Sequence, residues 1–123
     1  MTKRIFLGIS KRTYSLIIRD EETKKTTKYP AVTSKFGSKH FVILSALFDS
    51  LRKLEKNDIA IFYPNDNLVS FEWETEYKKD GYFSQRTKDI EKWEEIAKIV
   101  KLKHINLTIK DNSDVLSALG KFK

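Results

Sequence analysis

Apolar residues in the first third of the chain recur in short runs that are typical of β-strands. Three runs are rich in β-branched and aromatic side chains, namely residues 4–10, 13–19 and 26–32. Lys11 and Arg12 form a tight polar turn between the first two runs, and Pro30 favours a sheet edge or a strand end for the third. The pattern predicts three antiparallel strands.

The next segment has helical spacing and is followed by a buried strand. Its apolar residues fall three or four positions apart, on one helical face: Phe41, Leu44, Leu47, Leu51 and Leu54. Ser38 precedes them and is a good helix N-cap, because its hydroxyl accepts a hydrogen bond from a free backbone N–H. Residues 59–63 form a continuous apolar run, which is typical of a central strand covered on both sides.

The rest of the chain predicts three helices and one strand. The apolar residues of 68–77 fit neither the helical period nor the two-residue period of a strand, and we expect a short helix there. Its candidate caps are Asn65, Asp66 and Asn67. A helix beginning near residues 87–89 carries an apolar stripe, which consists of Ile90, Trp93, Ile96, Ala97 and Val100. Residues 104–109 alternate as a last strand, and residues 112–120 predict a final short helix, so the predicted order is β-β-β-α-β-α-α-β-α.

Length and composition bound the class of protein. With 123 residues, 40% of them hydrophobic, the chain has apolar surface for one core, and we expect one domain over residues 1–123. It has no cysteine, which excludes disulfides and thiolate chemistry and fits a cytoplasmic location. The apolar run at residues 5–9 is too short for a signal peptide or a membrane span. No glycine-rich nucleotide-binding motif occurs, so we expect no cofactor.

Charge and one mixed segment favour an anionic partner. Lys and Arg outnumber Asp and Glu by 24 to 17, which suits nucleic acid or an acidic protein surface, although a simple solvated lysine surface explains the same excess. Residues 77–88 combine turn residues with four cations suited to phosphates: Lys78, Lys79, Arg86 and Lys88. Tyr82 and Phe83 are suited to stacking on bases or sugars. The alternative is a lysine-rich loop whose two aromatic side chains pack into the core.

Two other groups of polar residues have simple interpretations. His40 and His104 lack the spacing of a metal site or a nucleophile relay, so we interpret them as surface polar residues. Glu72, Glu74 and Glu76 are spaced by two, and we interpret them as a solvated acidic patch that balances nearby lysines. Neither group predicts a catalytic site.

The predicted order of elements resembles the ribonuclease H fold over essentially the whole chain. Residues 41–51 resemble the family's first long helix, residues 77–82 its basic protrusion, and residues 88–93 the opening of its next helix. The resemblance implies an α/β fold with a mixed five-stranded sheet and helices on both faces. It also implies a second basic region where the first turn and the first long helix lie close, formed by Lys11, Arg12, Lys39 and His40.

The catalytic residues that the resemblance implies are missing. Family members cleave RNA with two divalent metal ions held by four carboxylates. The first two positions fall at or next to Gly8 and near Val42, and residues 1–19 contain no Asp or Glu. The other two positions leave at most a few acids, namely Asp66, Asp111 and Asp114. We therefore predict that the chain binds no metal and is not an enzyme; a metal-dependent nuclease built on these three acids is the less favoured alternative.

Two functions from different classes follow from this reasoning. The first is a catalytically inactive ribonuclease H-like module that binds RNA, DNA or a hybrid through its basic protrusion. The second is a small accessory or inhibitory protein of a phage or mobile element, which acts by protein–protein interaction on a host nucleic-acid machine. Salt-sensitive binding to nucleic acid distinguishes the first from the second.

Overall fold

The opening runs of β-branched residues fold as a three-stranded antiparallel sheet. The structure is a computed structural model that describes residues 1–33, 38–64 and 66–110. The opening strands are β1 (Thr2–Ser10), β2 (Thr13–Asp20) and β3 (Thr26–Thr33). β2 pairs antiparallel with both of its neighbours, and Lys11 takes a left-handed conformation (φ 54°) in the turn between β1 and β2. The predicted antiparallel start is confirmed.

Two further strands extend the sheet on the other side of β1. They are β4 (Ile59–Tyr63) and β5 (Asn106–Ile109). β4 pairs parallel with β1, and β5 pairs parallel with β4, so the order is β3-β2-β1-β4-β5 and the sheet is mixed and five-stranded, as predicted. β3 lies at an edge, where Pro30 is tolerated, and β4 lies between two strands, as its continuous apolar run indicates.

Helices connect the strands. The described segments are α1 (Lys39–Arg52), α2 (Asn67–Phe71), a π-helical turn (Glu72–Tyr77), α3 (Lys78–Asp80) and α4 (Ile90–Lys103). The three segments from α2 to α3 follow one another without a break, and we call residues 67–80 the irregular helix. Across the described ranges, no helix is both long and apolar enough to cross a bilayer. The helix predicted for residues 112–120 lies outside those ranges.

Two of the predicted caps begin helices in the structure. The Ser38 hydroxyl accepts a hydrogen bond from the Phe41 N–H at 3.4 Å, at the start of α1. Asp66 Oδ1 accepts one from the Val69 N–H at 3.1 Å, at the start of α2. Each side chain satisfies a backbone donor that has no partner inside the helix, which fixes where the helix begins.

The π-helical turn explains why residues 68–77 fit neither period. It allows two neighbouring residues to be buried: Trp73, whose Nε1 donates to the Leu107 carbonyl at 3.0 Å, and Glu72, which contacts His40. A π-helical turn inserts extra backbone into an α-helix and shifts the face on which later residues lie. A sequence interpreted at 3.6 residues per turn therefore loses its pattern here.

The main core lies on one face of the sheet, where α1 and α4 pack against each other and against the strands. Alternate residues of each strand face it, because successive side chains of a strand point to opposite sides. Trp93 of α4, Phe62 of β4 and Ile5 of β1 are completely buried there. Phe6 and Tyr63 lie on the opposite face of the sheet, where their rings stack with centroids 4.9 Å apart.

Candidate nucleic-acid interface

Three of the predicted cations lie at the end of the sheet where β1 and β4 finish. β1 and β4 are parallel, and β1 runs on into the turn that carries Lys11 and Arg12. β3 finishes beside the same turn, because Thr33 pairs with Thr13. α1 follows β3 in the chain and begins with Lys39. All three cations are exposed, so this end of the sheet is a cationic surface.

A buried histidine connects the start of α1 to the last part of the predicted binding segment. His40 is 5% exposed; its Nδ1 lies 2.7 Å from Asp89 Oδ2 and its Nε2 lies 2.5 Å from Glu72 Oε1. Burial alone lowers the pKa of His40, but hydrogen bonds and negative charge from the two carboxylates outweigh burial and raise this pKa above its ordinary value. Only the imidazolium form donates from both ring nitrogens, so this arrangement favours the protonated ring.

The contact between His40 and Asp89 positions further cations. Lys39 and Lys88 are the chain neighbours of the two bonded residues, so both lie next to the same contact. Arg86 and Lys88 also line a depression of about 280 Å³ beside the irregular helix. We call five exposed cations the strand-end surface; they are Lys11, Arg12, Lys39, Arg86 and Lys88.

Other predicted residues lie at the far end of the irregular helix. Lys78 and Lys79 form its last turn, about 20 Å from its start at roughly 1.5 Å per helical residue. The Lys78 Nζ lies 2.9 Å from Glu74 Oε2, while Lys79 is exposed. Tyr82 follows this turn and is 67% exposed. The structure therefore separates the predicted residues into the strand-end surface and a second surface around Tyr82.

Phe83 belongs to the core. It is 6% exposed, and its ring stacks on Tyr77 and Trp93, with centroids 4.6 Å and 5.0 Å away. These neighbours occupy the ring, so Phe83 does not offer a free face to a base. The alternative of aromatic side chains packed into the core therefore describes Phe83, whereas Tyr82 points to solvent.

Among the described residues, the positions that the resemblance assigns to carboxylates do not form a metal site. A Cβ at Gly8 would lie 2.9 Å from Ser15 Oγ on the neighbouring strand, and Val42 is completely buried. Asp66 is an acid, but its carboxylate caps α2. Among the residues that the structure describes, no three His, Cys, Asp or Glu side chains are arranged to hold a metal ion. Two acids considered from the sequence lie outside those residues, namely Asp111 and Asp114.

The interpretation of His40 and Glu72 as solvated surface residues was wrong. Both are buried, at 5% and 4% exposure, and they contact each other. The sequence carries a signal for His40, because it precedes Leu44 by four positions and Leu47 by seven, on the apolar stripe of α1. Glu72 has no comparable signal, because the π-helical turn interrupts the period that would place it on the buried face.

Comparison with solved structures identifies the fold. No family model matches the sequence, and no curated protein matches it. The chain is similar to the native protease-reverse transcriptase of Prototype Foamy Virus, with a TM-score of 0.58 and 14% identity over 89% of this chain and 17% of that chain. It is similar to the foamy viral protease-reverse transcriptase in complex with an RNA/DNA hybrid, with a TM-score of 0.57, 14% identity and the same two coverages, 89% and 17%.

A foamy viral protease-reverse transcriptase in complex with double-stranded DNA matches with a TM-score of 0.53 and 14% identity, over 89% of this chain and 77% of that chain. LC11-RNase H1, isolated from compost by a metagenomic approach, aligns with a TM-score of 0.44 and 15% identity over 94% and 89% of the two chains, which is too weak a superposition to indicate a shared fold. At these identities the likeness shows the fold alone. The chain has a ribonuclease H-like α/β fold, as predicted, and it spans 17% of the length of the first two foamy viral chains.

Proposed function

We propose that this chain is a nucleic-acid-binding module with a ribonuclease H-like fold and without nuclease activity. One observation carries the proposal: exposed cations gather at the end of the sheet where the corresponding carboxylate positions fall at or next to Gly8 and near Val42. An end of the sheet that carries cations, and whose described residues form no metal cluster, suits phosphate groups better than metal ions.

The structural neighbours support nucleic acid as the class of ligand. One foamy viral structure contains an RNA/DNA hybrid and another contains double-stranded DNA. A shared fold supplies a scaffold and leaves the ligand to the residues of the site. In this chain those residues are lysines and arginines, which neutralise phosphates and release the counterions condensed on a nucleic acid.

The strand-end surface is available for phosphates. Among the described residues, none of its five cations forms an ion pair, whereas Lys78 is paired with Glu74. Lys39 also begins α1, whose first turn contains no acidic residue. A phosphate near this turn meets positive side chains together with the positive end of the helix dipole. We therefore place the main backbone contacts on the strand-end surface, with Lys79 as a secondary contact.

The side chains at the described positions support the proposed lack of nuclease activity. A two-metal mechanism needs several carboxylate oxygens within coordination distance of each other. Here Val42 is apolar and buried, and Asp66 has a structural role as the cap of α2. An acid at Gly8 would require Ser15 to move, because the two residues are directly paired across the strands.

Fluorescence anisotropy tests the proposal with a labelled RNA/DNA hybrid, a DNA duplex and a single strand over a series of salt concentrations. We expect the logarithm of affinity to fall linearly with the logarithm of salt concentration. The combined variant Lys39→Glu, Arg86→Glu and Lys88→Glu is expected to bind more weakly by at least tenfold.

A matched variant controls for net charge in that experiment. It places the same three changes at exposed lysines near the other end of the sheet, as Lys25→Glu, Lys28→Glu and Lys56→Glu. We expect this control to weaken binding less than the strand-end variant does. Equal losses in the two variants would show that net charge alone drives binding, and no binding of any nucleic acid at low salt would contradict the proposed function.

A protein partner is the second candidate, and two exposed apolar side chains favour it. Leu68 and Phe71 lie three residues apart on α2 and are 52% and 49% exposed. Neighbouring apolar side chains left in water are typical of protein contacts. Affinity capture after nuclease treatment tests this candidate: a stoichiometric protein partner that is lost in the double variant Leu68→Ser and Phe71→Ser supports it, and recovery of the chain alone argues against it.

A further inference from the structure

A cavity of about 430 Å³ opens beside Tyr82, between residues 81–85 and residues 94–101 of α4. We call it the Tyr82 groove. Its chemistry comes from five side chains: Tyr82, Gln85, Glu94, Lys98 and Lys101. Its volume lies in the range of sites that hold small ligands, which is roughly 300–1,000 Å³.

The groove is built on a rigid aromatic support. Phe83 and Tyr77 line it, and both stack on Trp73 or Trp93 of the core. Phe83 also stacks on Tyr77, so the rings form one connected cluster. Aromatic clusters of this kind hold their side chains in fixed positions. The groove therefore has a firm apolar lining, although its mouth is open to solvent.

A glycine directs Tyr82 away from this cluster. Gly81 has a φ of 80°, which glycine adopts without strain and other residues rarely adopt. Its N–H donates to the Tyr77 carbonyl at 2.7 Å and closes the irregular helix. The chain then reverses so that Phe83 enters the core while Tyr82 stays exposed at the groove.

Charges are ordered along the groove. Glu94, Lys98 and Lys101 follow one another at intervals of four and three residues, so they lie on one face of α4. Both lysines are exposed, and neither has an ion-pair partner within the part of the chain that the structure describes. One end of the α4 side of the groove is therefore cationic and the other carries the Glu94 carboxylate, while the Gln85 amide also lines the groove.

We propose that the Tyr82 groove binds one unpaired nucleotide of a single-stranded nucleic acid. The base stacks on the Tyr82 ring, and its phosphate contacts Lys98 and Lys101. Gln85 and Glu94 meet the polar edge of the base, whose N–H groups suit a carboxylate acceptor. A duplex keeps its bases stacked on one another, so only an unpaired nucleotide presents a free face to the ring. The inference rests on the proposed function and narrows it to a single-stranded segment.

A short single-stranded DNA containing one 2-aminopurine tests this inference, because 2-aminopurine fluorescence falls when the base stacks on an aromatic ring. The wild-type protein is expected to quench this fluorescence and to bind the labelled strand more tightly than a duplex of equal length. Tyr82→Ala is expected to abolish the quenching and to weaken binding roughly tenfold, whereas Tyr82→Phe retains both. Tyr82 is exposed, so both variants are expected to fold, and circular dichroism checks this.

The lysines are tested with a matched pair of charge reversals. Lys98→Glu with Lys101→Glu is expected to weaken single-strand binding by at least fivefold more than the control Lys25→Glu with Lys28→Glu, which alters net charge equally. If the wild-type protein binds and Tyr82→Ala quenches the fluorescence equally, base stacking in the Tyr82 groove is contradicted. The proposed function is then unaffected. Equal effects of the two double variants would overturn the phosphate contacts in the groove. If the wild-type protein binds no nucleic acid, the proposed function and the groove fail together.

Discussion

At the scale of single residues, His40 shows how one buried side chain connects separate parts of the molecule. It lies at the start of α1 and contacts Glu72 of the irregular helix and Asp89, the residue before α4. Asp89 takes a left-handed conformation (φ 55°), which is uncommon outside glycine and asparagine, and its carboxylate faces His40. The three residues thus hold three elements together through two short contacts.

Removal of the imidazole is expected to destabilise the fold strongly. His40→Ala leaves the Glu72 carboxylate buried without its partner, and breaking a buried ion pair in this way costs about 3–5 kcal/mol. Urea unfolding followed by tryptophan fluorescence measures this change in the free energy of unfolding. His104→Asn serves as the control, because His104 is exposed and left-handed, a conformation that asparagine tolerates. Similar stability of the two variants would contradict the role of His40.

The same contacts predict how stability depends on pH. The pKa of His40 is raised in the folded protein, because the two carboxylates outweigh the effect of burial. A raised pKa contributes stability that is fully present below the unfolded value of 6.5 and is lost as pH rises through the folded value. The free energy of unfolding is therefore expected to fall from about pH 6.5 upward, and His40→Gln is expected to lack this decrease. A wild-type protein with constant stability over this interval would count against the charged bridge.

The different environments of Tyr82 and Phe83 could not be predicted from the sequence. The composition of residues 77–88 identified a segment with cations and aromatic rings, but it gave Tyr82 and Phe83 the same role. The structure separates them, since one is 67% exposed and the other 6% exposed. The difference arises from a single left-handed glycine and from contacts with Trp93, which lies on another element. The local sequence pattern predicts neither the left-handed conformation of Gly81 nor the contact of Phe83 with Trp93.

At the scale of elements, the strands and the long helices were predictable because each is regular. β4 has the predicted bounds, and α1 begins directly after its predicted cap, Ser38. The irregular helix was not predictable in the same way, because its π-helical turn changes the period within residues 68–77. This turn buries Glu72. The irregular helix, whose apolar spacing is not regular, therefore also supplies the partner of His40.

The cap of α2 distinguishes a structural carboxylate from a metal ligand. Asp66→Ala is expected to lower the free energy of unfolding by about 1 kcal/mol, because the Val69 N–H loses its acceptor. Asp66→Asn is expected to keep most of this stability, because asparagine caps helices about as well as aspartate. Thermal unfolding with and without Mg²⁺ makes the comparison. A rise in Tm with Mg²⁺ that disappears in both variants would mean that Asp66 is a metal ligand instead.

At the scale of the whole molecule, the order of elements was enough to predict the sheet. Three antiparallel runs, followed by alternating helix and strand, leave few ways to build a mixed five-stranded sheet, and the structure has the order β3-β2-β1-β4-β5. The distribution of charge was harder to predict, because it depends on which loops meet in space. Lys39 and Lys88 are distant in the sequence and are placed beside one contact by His40 and Asp89.

The net charge of +7 is therefore distributed unevenly over the surface of the protein. Part of it lies on the strand-end surface, and part lies along α4 in the Tyr82 groove. We propose that these surfaces hold a nucleic acid by its phosphates without cutting it. Binding and cleavage are separable in this account, because the cations remain available whether or not a divalent metal ion is present.

A gel-shift assay on an RNA/DNA hybrid tests whether the protein binds a nucleic acid without cutting it. A labelled RNA/DNA hybrid is incubated with the protein at low salt in Mg²⁺ or Mn²⁺, and the bound and free strands are then separated and sized. We expect a retarded band that contains full-length strands, with the same affinity when EDTA replaces the metal. Shortened strands that require the metal, or the absence of any retarded band, would contradict this expectation.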